Sequence, residues 1–311
     1  MISYFRSLFT QRSLQNSSSS TSAPSSVETR ASAVQQPGLR ADQNVRTGED
    51  AWTLERVKDR ISIGARLTHC VVDIGLDILV KYGTHISVKE GEATQFVAEW
   101  TSVRVPKIYA ILHDETTKIT YIVQEKLPGS SLMDHLPTLD AATCSSLADE
   151  LKNILHELTK LDARGAMGLF GRPSKYDKGI LQKFSAHDPG VEIRSTIEFV
   201  EWIPKQLRDI CDIDKMPSPD VFDFSCGPIF SHGDLVPENI LIIDGHVSGI
   251  IDWDCAGWYP YFWNDYIGRW RRKMPAFRDG KWMGMMDKMT TPFSSEVEVF
   301  DDFYSCADRY L

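Results

Sequence analysis

Three oxygen-bearing side chains, Asp234, Asn239 and Asp252, fall within residues 229–258, IFSHGDLVPENILIIDGHVSGIIDWDCAGW. Each is unremarkable alone, because Asp and Asn are common turn formers at strand ends. Together they make a chemical set. One carboxylate can orient and deprotonate a hydroxyl, while an amide oxygen and a second carboxylate hold a hard divalent cation against phosphate oxygens. That set serves phosphoryl transfer. The spacing is His-x-Asp-x4-Asn, then two apolar runs, then Ile-Ile-Asp.

The runs are residues 240–243 and 247–251, and Asp244-Gly245 between them signals a two-residue hairpin turn, which needs positive φ at both positions. With that turn, Asn239 faces Ile250. Asp252, two residues further on, shares its face of the strand. Asn239 and Asp252 are then diagonal neighbours, about 7–8 Å apart at the backbone. Asp234 sits on the loop leading into the hairpin.

This stretch resembles the aminoglycoside phosphotransferase and choline kinase-like family. HGDLVPENIL is similar to its catalytic loop, and IIDWDCAGWYP to its metal-binding segment. The resemblance implies an α+β, two-lobed protein kinase-like fold, with a small antiparallel sheet in the N-lobe and a mainly helical C-lobe. It implies an ATP-dependent transfer of the γ-phosphate to a hydroxyl of a small-molecule acceptor, with Mg2+. Asp234 would be the catalytic base, and Asn239 and Asp252 the metal ligands. His232 would brace the loop, and Asp254 would cap the loop that follows or, as the alternative, reach a second metal.

Upstream, residues 70–74 and 78–80 read as short strands, 90–100 as a helix ended by Val105-Pro106, and 108–112 and 119–124 as strands joined by a polar turn. In a kinase-like lobe of this order, a strand lysine before the helix grips the α/β-phosphates and a helix glutamate holds that lysine. Lys81 is the best match. The resemblance favours Glu90 as its partner, since Val97 then takes the buried position seven residues later; Glu92 stays open. The match departs from protein kinases in three ways. No G-x-G-x-x-G stands near residues 61–75, the metal aspartate lies in Ile-Asp-Trp, and no Ala-Pro-Glu follows. A catalytically silent nucleotide-binding or interaction module of the same fold is the alternative reading.

Residues 124–129 link the lobes. Residues 139–161 form the clearest helix, with Ala141, Cys144, Leu147, Leu151, Leu155 and Leu158 on its apolar stripe. Further helices are expected around residues 180–184 and 196–211. The aromatic run from Trp253 to Trp270 is read as core rather than as a cation cage. A capping box at residues 295–298 starts a last helix. The family pattern continues into further helices, so the chain reads as a short member.

The 311 residues suit about two domains. Residues 1–48 form a serine-rich, disordered tail; 49–125 the N-lobe; 126–311 the C-lobe. The tail carries five arginines against Glu28 and Asp42, while the whole chain is at −9. The folded part is therefore strongly acidic, which argues against a nucleic-acid partner. Six scattered cysteines without a C-x-x-C pair read as reduced thiols. No apolar run is long enough for a membrane span. The expected location is cytoplasmic. The alternative is mitochondrial, because the Arg- and Ser-rich, acid-poor start has a presequence look.

Overall fold

The structure is a computed structural model that describes residues 51–68, 70–162, 167–173, 193–207, 219–270 and 280–310. The tail of residues 1–48 and the helix expected around 180–184 lie outside the described residues.

The chain enters through helix α1 (Leu54–Ile63), N-capped by Thr53, whose side chain accepts from the Arg56 N–H. The sequence reading did not anticipate this helix. Five strands follow, all antiparallel: β1 (Ala65–Arg66), β2 (Val71–Asp73), β3 (Ile78–Gly83), β4 (Ile108–Asp114) and β5 (Ile119–Glu125), in the order β1-β2-β3-β5-β4. Between β3 and β4 runs helix α2 (Val88–Trp100), capped at its start by Ser87. It ends at Thr101, before the expected stop at Val105-Pro106. The Thr101 hydroxyl donates to Val97 O (2.7 Å) and closes the last turn.

Strand β5 runs on through residues 126–129 into β6 (Ser130–Ser131) and the short helix α3 (Leu132–His135). Helix α4 (Ala141–Thr159) is N-capped by Asp140, which accepts from the Thr143 N–H at 2.7 Å. From Cys144 on its predicted stripe is its core face, with Leu147 and Leu151 fully buried beside Ala148, while Ala141 in the first turn is exposed. Then come β7 (Gly168–Leu169), β8 (Arg172–Pro173) and helix α5 (Thr196–Leu207). The motif stretch supplies β9 (Ile229–Ser231), β10 (Ile240–Ile243), β11 (His246–Ile250) and β12 (Gly257–Tyr259). Strands β11-β10-β6 form one small sheet and β8-β7-β12-β9 another. Helices α6 (Trp263–Trp270), α7 (Lys281–Met289) and α8 (Ser294–Tyr310) complete the fold.

The architecture is α+β and two-lobed, with the five-stranded sheet on one side and helices on the other. The core reading of the aromatic run holds: Trp253, Tyr259, Phe262, Trp263 and Tyr266 are at most 1 % exposed. No described helix is long and apolar enough to cross a membrane.

Candidate active site

The hairpin forms around Asp244-Gly245, both at positive φ (51° and 79°), as that turn requires. Its register differs from the expected one. A bulge between Leu241 and Ile242 leaves Ser248 unpaired, so Ile240 faces Ile250. Asn239 therefore meets Ile251, whose N–H donates to Asn239 O at 3.0 Å. The extra residue has a use, since the Ser248 hydroxyl donates to Pro128 O in the lobe linker at 2.6 Å. Strand β11 stops at Ile250, and Asp252 turns left-handed (φ 67°, ψ 63°). Asp is among the few side chains that tolerate this region. The turn at Asp252, not a shared strand face, sets its direction.

Lys81 lies on the central strand β3, opposite Val71 and Ile122. Its Nζ donates to Glu90 Oε1 (2.6 Å) and to Asp252 Oδ1 (2.8 Å). Glu92 is taken by Lys89 instead (2.6 Å), which decides between the two candidate partners. Burial by itself pushes the Lys81 ammonium down, but the Asp252 and Glu90 carboxylates outweigh it and hold the pKa above the usual lysine value. Burial pushes Glu90 up to about 7; Lys81 opposes this, and Asp252 and Asp254 add to it. The two shifts pull the pair in opposite directions. Lys81 keeps its proton, because it faces two carboxylates while Glu90 faces one ammonium. Lys81 thus bridges the carboxylates of Glu90 and Asp252.

Asn239 closes the short 3-10 turn Pro237–Asn239 and is 2 % exposed. Its Nδ2 donates to Asp234 O (2.8 Å) and approaches Asp234 Oδ2 (3.5 Å). The amide thus commits its N–H side to the Asp234 loop, and its oxygen is left as the group able to ligate. His232 ties the two halves together. It is fully buried, its Nδ1 accepts from the Asp234 N–H (3.3 Å), and its Nε2 pairs with Ile251 O (2.9 Å). A carbonyl can only accept, so this imidazole is the neutral Nε2–H form. Burial lowers its pKa accordingly. The brace expected of His232 is what the geometry contains.

Two supports escaped the sequence reading. Gly233 has φ +78°, and a Cβ there would sit 1.9 Å from Cys255 O. Only glycine allows the two loops so close. Ser231 accepts from the Gly233 N–H (3.0 Å) and donates to Asn264 Oδ1 on α6 (2.5 Å). The glycine of His-Gly-Asp was a visible signal; the Ser231–Asn264 contact, 33 residues apart, had none.

A cavity of about 400 Å3 lies elsewhere, among the loop after α2, helix α4 and strand β11, lined by Ser102, Arg104, Asn153, His156 and Gly249. None of the five candidate residues lines it.

The sequence pattern described as "Phosphotransferase enzyme family" matches residues 88–265. That is more than half of the chain, and it takes in Glu90, Asp234, Asn239 and Asp252. The chain belongs to this family. Among solved structures, the chain is similar to a wild-type aminoglycoside 2'-phosphotransferase bound to GDP, at 16 % identity and TM-score 0.49, over 76 % of this chain and 80 % of that one. It is also similar to a thermostable aminoglycoside phosphotransferase mutant in complex with ADP and hygromycin B, at 11 % identity and TM-score 0.48, over 82 % and 96 %. No curated protein matches it.

Proposed function

We propose that the protein transfers the γ-phosphate of ATP to a hydroxyl of a small-molecule acceptor. The carrying observation is Lys81 bracketed by Glu90 and Asp252, with Asp234 and Asn239 bonded to each other on the adjoining loop. Asp234 takes the proton of the acceptor hydroxyl. The hydroxyl oxygen then bonds to the γ-phosphorus, the bond to the β–γ bridging oxygen breaks, and ADP leaves. Lys81 grips the α/β-phosphates and Glu90 keeps it oriented.

The donor set suits magnesium. Among the described residues no group of three His, Cys, Asp or Glu side chains forms a complete metal cage. Mg2+ is ordinarily held by one or two carboxylates together with substrate phosphates and water. Asp252 and the Asn239 oxygen would hold the ion, which would supply charge neutralisation on the phosphates.

The test is a screen of ATP consumption with Mg2+ over amino alcohols, sugars, aminoglycosides and amino acids. An acceptor that raises turnover, with loss of that turnover in Asp234→Asn, supports the proposal. Tight ATP binding without turnover on any acceptor would instead favour a silent nucleotide-binding module.

A further inference from the structure

Helix α2 carries Glu90, yet much of its buried face belongs to the other lobe. Ala93 and Val97 pack in the same cluster as Leu147, Leu151, Phe230 and Trp253. Toward the sheet the helix offers Gly91, so close to β4 that a Cβ there would lie 2.6 Å from Ile111 Cδ1. What fixes the helix on the helical lobe is a group of four rings: Phe96 on α2, Phe170 in the β7–β8 turn, Phe230 on β9 and Trp258 on β12. All six ring pairs have centroids between 5.0 and 6.5 Å apart. Edge-on and tilted contacts dominate, as ring quadrupoles favour.

Each ring lies on, or is bonded to, an element that carries or adjoins a candidate group. Phe230 is two residues before His232 and pairs with Trp258 across β9 and β12. Trp258 is six residues after Asp252. The Phe170 N–H donates to Ala256 O at 2.8 Å, tying its turn to the end of the metal segment. Phe96 is six residues after Glu90 on the same helix. The quartet therefore joins the elements that carry Glu90, Asp234 and Asp252 at one point.

We propose that Phe96, Phe170, Phe230 and Trp258 are positioning residues that mount helix α2 on the helical lobe and so set Glu90 against Lys81. The consequence for phosphate transfer rests on the function proposed above; the mount itself does not. Removing a ring would let α2 swing on the flat contact at Gly91, and Lys81 would lose one of its two carboxylates.

The experiment compares wild type, Phe96→Ala and Phe96→Leu, the last keeping apolar volume without the ring. Hydrogen exchange is read on α2 and, as an internal standard, on α4. Reaction of Lys81 with an amine acylating reagent is read by mass spectrometry, and the affinity for ATP with Mg2+ by calorimetry. In Phe96→Ala the α2 amides should exchange about tenfold faster while α4 is unchanged. Lys81 should become acylated, and ATP affinity should fall about tenfold, a typical coupling between packed sites. Phe96→Leu should recover most of each loss. Equal acceleration of α2 and α4, or no change in either, overturns the proposal. A wild type that binds no ATP removes the phosphotransferase reading, while the exchange and acylation results still decide the mount.

Discussion

Two buried carboxylate clusters in this molecule have opposite character. Asp265 on α6 is 2 % exposed, and both its oxygens are filled: Oδ1 accepts from Arg269 Nε (2.6 Å) and Thr290 Oγ1 (2.8 Å), and Oδ2 from the Phe293 N–H (3.0 Å). Those partners come from α6, the end of α7 and the approach to α8, so Asp265 pins three helices. Glu90, 4 % exposed, is filled on one side only, and its Oε2 is buried with no hydrogen-bond partner. Its neighbour Asp252 is left-handed and its side chain 25 % exposed. A satisfied polar network stabilises and specifies a fold. A buried carboxylate oxygen without a partner, next to a partly exposed carboxylate, is the opposite arrangement, one that structure alone does not require.

The sharpest test of this contrast is Asp265→Ala. It takes away the buried partner of Arg269, which keeps only the solvent-exposed carboxylate of Asp287 at 2.9 Å. Breaking a buried pair in this way should cost about 3–5 kcal/mol. Chemical denaturation should show that loss, while the magnesium dependence of ATP binding by the remaining folded protein stays as in wild type. A stability within 1 kcal/mol of wild type, a window set by typical surface substitutions, would mean Asp265 is not the anchor described.

Asp252→Asn should behave in the reverse way. Asn also tolerates the left-handed region, so the backbone is kept. Lys81 and Glu90 are left as a balanced pair, and the melting temperature should not fall. Turnover at limiting magnesium should drop by roughly 10³, the size expected for losing one electrostatic contact to the reacting phosphates. Normal turnover would break the contrast from the other side. Asp234→Asn comes next, at roughly 10² in turnover with ATP affinity within a fewfold, since a general base contributes to the chemical step rather than to nucleotide binding. Affinity by calorimetry and transfer by a coupled assay, on one preparation, separate the two quantities. A parallel loss of affinity would show that the Asp234 charge serves nucleotide binding instead.

The groups that do local work were legible from the sequence. The Asp244-Gly245 turn, most of the α4 stripe and strands β2 to β5 of the larger sheet follow from propensity and period, which act over a few residues. The Lys81–Asp252 contact spans 171 residues of sequence, and only the likeness to a family pointed to Lys81 at all. The bulge at Ser248 was invisible because its cause is the distant Pro128 carbonyl. Strands β1, β6, β7, β8 and β12 were missed because two- or three-residue strands have no period to read. Helix α1 has only Val57 fully buried, too little of an apolar stripe to announce a helix.

The smallest expected effect concerns His232, which sits inside the functional region but is bonded like the Asp265 cluster, with both ring nitrogens occupied. Burial holds its folded pKa below the ordinary 6.5. Below about pH 6.5 the unfolded chain takes up a proton that the folded protein refuses, so this group's contribution to stability is complete above that pH and declines as pH falls. The slope for one proton is at most about 1.4 kcal/mol per pH unit. Glu90 works against it. Its folded pKa of about 7 lies above the ordinary carboxyl value, so its contribution grows as pH falls from 7. The raw pH profile of wild type therefore mixes two opposite slopes, and only a difference isolates the histidine. His232→Gln keeps an N–H that can reach Ile251 O and does not titrate. Unfolding free energies of both proteins at pH 7, 6 and 5 should show a gap that narrows toward acid, with wild type losing its advantage. A gap that stays constant across that range would mean that the imidazole takes up its proton in the folded protein as readily as in the unfolded chain, and that the neutral bridge between the Asp234 loop and Ile251 is not how the two halves of the site are joined.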